Sequence, residues 1–209
     1  MKHSPRFLLD ERWERRYSSV MTKRMSMLMI LLLTVSLLYA GGAFNVDAGY
    51  TYSKGWMTGE ETSSSGLLFE LGGKGYMAPS FALGGGIFVH IPVSGSLESV
   101  RFAPNMTLSY VISLTKALYF EPAAGISFLF SPYRTEETSR LHSEIDLLLE
   151  AAFSLRLQEN AAFRIGVKGY MPLIASDYVK NITEGTYTQS DLGIKFFHIT
   201  PFLGVSIVL

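Results

Sequence analysis

The chain has 209 residues, no cysteine and 48% hydrophobic residues. That length suits one domain, and without cysteine there is no disulfide scaffold, no thiolate nucleophile and no cysteine-ligated metal. Net charge is zero, but residues 1–24 hold seven Lys/Arg and three acids, leaving 11 basic and 15 acidic residues in the remainder; a mildly acidic body does not suggest nucleic-acid binding.

Residues 1–20 are charged and fit poorly in front of an export signal. Met21 begins a compact signal by itself, so 1–20 reads as a mis-assigned extension; the alternative is a long n-region. Lys23 and Arg24 precede an apolar run from Met25 to Ala40, and the small residues Ala40, Gly41, Gly42 and Ala43 come next. This is the order of a secretory signal, with cleavage after Ala40 or Ala43. The run is shorter than the roughly 20 residues a spanning helix needs. Residues 21–43 are therefore read as a signal-peptide helix that is removed, and 44–209 as the folded domain.

From Phe44 onward the sequence alternates apolar with polar or small residues in stretches long enough to cross a membrane as tilted strands. Eight segments can be placed. Phe44–Tyr52 sets Phe44, Val46, Ala48, Tyr50 and Tyr52 against Asn45, Asp47, Gly49 and Thr51. Leu67–Tyr76 sets Leu67, Phe69 and Leu71 against Glu70. Phe81–Val93 sets Phe81, Leu83, Ile87, Val89 and Ile91 against Ala82, Gly84, Gly86 and His90. Val100–Ile112 sets Phe102, Met106, Leu108 and Tyr110 against Arg101, Asn105, Thr107 and Ser109.

Leu118–Phe130 sets Phe120, Ala124, Ile126, Phe128 and Phe130 against Tyr119, Glu121, Gly125 and Ser127. Glu144–Leu157 is the clearest: Ile145, Leu147, Leu149, Ala151, Phe153, Leu155 and Leu157 are apolar without a break, and Asp146, Glu150 and Arg156 lie between them. Ala162–Leu173 sets Phe163, Ile165, Val167 and Met171 against Arg164, Gly166, Lys168 and Tyr170. The eighth segment, about Leu192–Leu209, loses phase near Phe196–Phe197, where a bulge is expected.

The connections 53–66, 94–99, 131–143 and 174–191 are the longer ones. Residues 77–80, 113–117 and 158–161 are short and carry turn formers such as Pro79-Ser80 and Glu159-Asn160. That alternation suits an up-and-down barrel with long loops outside and short turns in the periplasm. Closure follows from the backbone: an open edge in lipid leaves N–H and C=O groups unpaired, at several kcal/mol each. The expected fold is all-β, an eight-stranded antiparallel up-and-down transmembrane β-barrel. Two other readings of the pattern exist. Residues 144–157 also fit helical spacing, and a soluble lipocalin-like barrel would have the same strand count with its apolar face inward. Low charge density on the polar face argues against the soluble barrel.

The polar face carries the candidate site. Glu70, Arg101, Glu121, Asp146, Glu150, Arg156, Arg164 and Lys168 all fall on it, as a lumenal charge network. An eight-stranded interior is just wide enough to be filled by side chains, and buried charges must be paired. The main reading is therefore an ion-paired plug, with a gated path for small solutes as the sharper one. Gly84 and Gly86 would make room for long neighbours or line a small cavity. Tyr50, Tyr52, Trp56, Tyr76, Phe128, Phe130 and Tyr133 lie near strand ends, as interface aromatics do. His142-Ser143-Glu144 holds the residue types of a lipid-modifying serine enzyme. Adjacent strand residues point to opposite faces, however, which separates His142 from Ser143. No metalloprotease-type histidine spacing is present. Loop 174–191, with Asp177, Tyr178 and Lys180, is polar enough for surface binding or simply for water.

The signal at 21–43, the alternating strands and the last segment, Thr200 to Leu209, resemble the small eight-stranded outer-membrane β-barrel proteins of the OmpA-barrel/OmpX-like group, and also OmpW-like barrels. The resemblance covers 44–209. Members of the group commonly end in an aromatic residue, whereas here Leu209 is last. The resemblance implies outer-membrane lipid as surroundings and the barrel-assembly machinery as a partner of the C-terminal strand. It implies no cofactor and no catalytic or metal residues. The expected function is a non-enzymatic structural or surface-interaction role through extracellular loops, with no ligand specified. The alternatives are a narrow channel for small or hydrophobic solutes and a lipid A-modifying enzyme.

Overall fold

Strict alternation buries one face of each strand and exposes the other, and the architecture depends on which face is which. A computed structural model describes residues 42–57, 60–95, 99–134, 138–181, 185–190 and 195–208. Extension 1–20 and nearly all of the signal lie outside the described residues. The elements are β1 (Ala43–Met57), β2 (Glu60–Ala78), β3 (Phe81–Gly95), β4 (Arg101–Tyr110), β5 (Ile112–Ser113), β6 (Leu118–Arg134), β7 (Thr138–Gln158), β8 (Ala161–Asn181), β9 (Tyr187–Ser190) and β10 (Lys195–Val208). None of the described residues is helical, and 144–157 lies within β7.

The sheet order is β10-β1-β2-β3-β4-β6-β7-β8, and β8 pairs back onto β10. Eight antiparallel wall positions thus close into a ring. β4 and β5 occupy one position, since both pair with β6. β9 adds to the upper part of β8 alone. The short turns gather at one end, together with the Ala43–Val208 pair that joins β1 to β10. There Val111 N–H donates to Ser80 O at 2.7 Å and Val208 N–H to Asn160 O at 2.9 Å.

Two expectations need correction. Strand pairing continues through much of the chain expected as loop: β6 and β7 pair as far as Arg134–Ser139, β7 and β8 as far as Thr138–Asn181, and β8 and β9 at Lys180–Tyr187. Hydrocarbon imposes alternation only on the segment it wets, so strand beyond it carries no periodic signature. The bulge expected at Phe196–Phe197 is also absent, since β1 and β10 keep one register from Ala43–Val208 to Trp56–Lys195. A shift sits instead between β7 and β8, where Ile145 faces Ile174 but Asp146 faces Pro172. Leu173 is the extra residue, and Leu173 and Ile174 both point outward, 50% and 59% exposed.

The wall faces oppositely to that of a soluble barrel. Leu71, Leu149, Ile165 and Leu203 are outward and exposed, while Asp146, Arg101 and Lys168 are fully buried inside. Six residues, Leu68, Phe88, Ala103, Leu129, Leu148 and Tyr170, form an apolar layer across the lumen, none more than 2% exposed.

Candidate functional site

The inward residues stack in layers, because successive even or odd positions of each strand step along the barrel axis. Going up β1 from the short-turn end one meets Asp47, then Thr51 and Ser53. Going down β2 one meets Leu68, then Glu70, then Lys74. The apolar layer therefore divides two polar ones.

The lower polar layer lies toward the short turns. Arg164 Nη1 donates to both Asp47 oxygens at 2.9 and 2.8 Å, and Arg164 Nη2 donates to Glu150 Oε1 at 2.7 Å. Lys168 Nζ donates to Asp47 Oδ2 at 2.9 Å and Glu70 Oε2 at 2.5 Å, with Glu150 Oε2 at 3.6 Å. Asn105 Nδ2 donates to the other Glu70 oxygen at 3.0 Å. Lys74 pairs with Glu121. Phe202 lies beneath both cations, its ring centre 4.5 Å from Lys168 Nζ and 5.4 Å from Arg164 Cζ. Each charge here has a partner, as burial demands. A Cβ on Gly86 would come within 3.2 Å of Glu70 Oε1 and 2.7 Å of the Leu71 carbonyl oxygen. The absent side chain leaves Glu70 its place, so the third-strand glycines serve packing. A cavity of about 40 Å³ remains among these groups, room for only a few waters.

The upper polar layer lies toward the longer connections and is built around histidine. Asp177 Oδ1 accepts from His142 Nδ1 at 2.7 Å, and His142 Nε2 is 3.1 Å from Glu144 Oε1. His198 Nδ1 is 2.7 Å from Ser53 Oγ, and its Nε2 is 3.4 Å from Arg101 Nη1 and 3.9 Å from Glu144 Oε2. A cavity of about 10 Å³ is lined by His90, Arg101, His198, Tyr170 and the apolar layer.

Of the eight residues expected in the network, Glu70, Glu150, Arg164 and Lys168 come together in the lower layer, with Glu121 paired beside them. Arg101 and Asp146 belong to the upper layer. Arg156 does not join: it is exposed near the Glu159–Asn160 turn, its guanidinium 5.1 Å from the Tyr119 ring centre. Parity put Arg156 on the right face, but the lumen has already ended there. Sequence reasoning left out Asp47, Lys74, Glu144 and Asp177. Asp47 already fell on the polar face of its segment, Lys74 shares the parity of Glu70 and Glu144 that of Asp146, so these three could have been included on that ground.

Among the expected interface aromatics, Tyr50, Tyr52 and Phe128 face outward and Phe130 stacks on Phe102 at 5.7 Å. Tyr76 is a correction. It pairs with the buried Ala82 on the lumenal face, and Lys74 Nζ lies 5.7 Å from its ring centre. The side chains of Trp56 and Tyr133 lie outside the described residues. His142 points into the lumen, while Ser143 is half-buried on the other face and donates to Ser176 O at 3.4 Å. They form no catalytic pair.

The closed ring and the outward apolar wall invite comparison with solved barrels. Neisserial surface protein A matches with a TM-score of 0.55 at 12% identity, over 79% of this chain and 97% of that one. OprG from Pseudomonas aeruginosa matches with 0.54 at 12% identity, over 82% and 97%. The N-terminal β-barrel domain of OprF from the same organism matches with 0.52 at 9% identity, over 82% and 98%. The chain has the fold of the small eight-stranded outer-membrane β-barrels. No family model and no curated protein matches the sequence. At such identity the likeness speaks for the fold alone.

Proposed function

We propose that this protein is a non-enzymatic outer-membrane β-barrel that serves the envelope through its wall and its longer connections. In this reading its lumen is a filled strut. Residues 21–43 direct export and are removed, the wall sits in outer-membrane lipid, and the C-terminal strand is handed to the assembly machinery. The longer connections face outward and are the part available to a surface partner.

The observation that carries this reading is the apolar layer of Leu68, Phe88, Ala103, Leu129, Leu148 and Tyr170. A conducting path must run past it. Its members are each at most 2% exposed; a cavity of about 10 Å³ lies between four of them and the histidines above, and one of about 40 Å³ lies among the charges below. An ion crossing it would shed its water against hydrocarbon. The channel alternative is disfavoured by the same layer. Planar-bilayer recording tests the reading: the folded barrel should show no stable openings, whereas Leu148→Ser with Leu129→Ser should admit ions. Steady conductance from the unaltered protein would overturn it.

A further inference from the structure

We propose that the outer end of the wall holds one molecule of phosphorylated glycolipid from the outer leaflet, against a row of hydroxyls on β1, β2 and β3. The site rests on the outer-membrane placement proposed above. The Tyr50 hydroxyl donates to Ser65 Oγ at 2.7 Å, and Ser65 Oγ is 2.8 Å from Ser94 Oγ. All three face away from the lumen. Tyr50 shares its side of β1 with Val46 and Tyr52, and Ser65 shares its side of β2 with Leu67 and Phe69, all four of these exposed. Ser65 thus stands on the face that lipid wets, one side-chain step above Leu67.

Local backbone brings the third hydroxyl in. Between β2 and β3 the register slips: Ser65 pairs with Ser94 and Gly66 with Pro92, which leaves Val93 as the extra residue. A bulge re-aims the side chains around it, and here Val93 and Ser94 are both exposed. Buried Ser64 donates to the Ser94 carbonyl at 3.0 Å, and Gly95 follows with a φ of 103°. A Cβ there would overlap the Ser63 carbonyl oxygen, so glycine is the residue that ends the strand in this way. A bulge, a buried hydrogen bond and a left-handed glycine all fix Ser94 beside Ser65.

Three hydroxyl protons belong to Tyr50, Ser65 and Ser94, and the two bonds of the row use two of them. One O–H therefore points off the row toward an acceptor on the lipid side, whichever serine carries it. Polarisation along a chain of hydrogen bonds makes that last donor a stronger one. Lys54, on the same side of β1 as Tyr52, pairs with Ser63 and adds positive charge. It holds another contact as well, and surface ammonium groups exchange such contacts readily. A donor beside an ammonium suits a phosphate oxygen, and the remaining lone pairs of the hydroxyls suit sugar O–H groups. Below them Leu67, Phe69 and Ile91 form an exposed apolar strip for acyl chains. Sugar, phosphate and acyl chain in that order make up a glycolipid of the outer leaflet, whereas a phospholipid lacks the sugar.

The test uses diphosphorylated lipid A as the probe. The full barrel is folded into detergent micelles, titrated with the probe and read by native mass spectrometry. One glycolipid per barrel should stay bound under conditions where phosphatidylglycerol leaves. Tyr50→Phe and Ser94→Ala each remove one link and should weaken binding about 2–10-fold. Lys54→Gln should narrow the preference for diphosphorylated over dephosphorylated lipid A. Ser143→Ala, outward on the opposite wall, should change nothing. Heat-modifiability on gels shows that each variant is folded. The proposal is overturned if the unaltered barrel retains no lipid A or retains phosphatidylglycerol equally. It is overturned as well if Tyr50→Phe combined with Ser94→Ala binds as the parent does. Cell fractionation separates this site from the placement beneath it. A barrel found in the outer membrane that retains no lipid A loses the site alone, and one found in another membrane loses the placement too.

Discussion

Replacing Lys168 by methionine probes the lower layer most directly. The ammonium is 1% exposed and meets Asp47, Glu70 and Glu150 at 2.9, 2.5 and 3.6 Å. Methionine keeps most of the stem against Phe202 and deletes only the charge. Arg164 still serves Asp47 and Glu150, but Glu70 retains Asn105 alone. The layer, with Asp47, Glu70, Glu121 and Glu150 against Lys74, Arg164 and Lys168, goes from a formal −1 to −2. Breaking a buried pair from one side costs about 3–5 kcal/mol. At a urea slope of about 1–3 kcal/mol per molar, the unfolding midpoint should fall by about 1–5 M. Reversible unfolding in micelles, followed by tryptophan fluorescence, measures it. Lys168→Met with Glu70→Gln should recover at least about 1 kcal/mol of the loss, since the stranded carboxylate is gone. A single-variant loss below about 1 kcal/mol at unchanged slope, or a double variant weaker than the single, would refute the idea that Lys168 neutralises this layer.

The wall and the ends give further tests. Leu149 is 47% exposed on the outer face, so Leu149→Arg should cost about 2–4 kcal/mol in lipid vesicles and far less in a detergent that adapts to the charge; equal cost in both would count against lipid contact. A Cβ on Gly125 would overlap the Met106 carbonyl oxygen, whereas one on Gly169 meets nothing within 4 Å. Gly125→Ala should therefore lower the urea midpoint, and Gly169→Ala should leave the unfolding free energy unchanged or raise it by about 0.4–1 kcal/mol. Ala43 is 3% exposed and pairs with both Lys74 and Val208, so cleavage after Ala40 preserves that pairing. N-terminal sequencing of the exported protein should read Gly41 first, and a start at Phe44 would reject this.

Parity was legible in the sequence and height was not. The alternation from Ile145 to Leu157 told inside from outside, and it placed Asp146, Glu150, Arg164 and Lys168 correctly. It could not say where along the axis each residue stood, so Arg156 was counted with groups that lie deeper. Nor could it give partners. Lys168 and Asp47 are 121 residues apart, and only ring closure through β10 brings β8 near β1. Asp177 and the surroundings of His142 were read as loop because strand in water needs no apolar face. Lys74 was missed because Gly72, Gly73 and Gly75 around it give no alternation to count. Tyr76 was placed by nearness to a strand end, where its parity would have shown the lumenal side.

The seam where Ala43 meets Val208 has its own consequence. A hoop has no first stave. Once β10 lies against β1, the seam between them is one more antiparallel joint at the same rim as the three tight bends. A short tether from Val208 to Ala43, with new ends opened at Pro79–Ser80, would leave every stave beside its present neighbours.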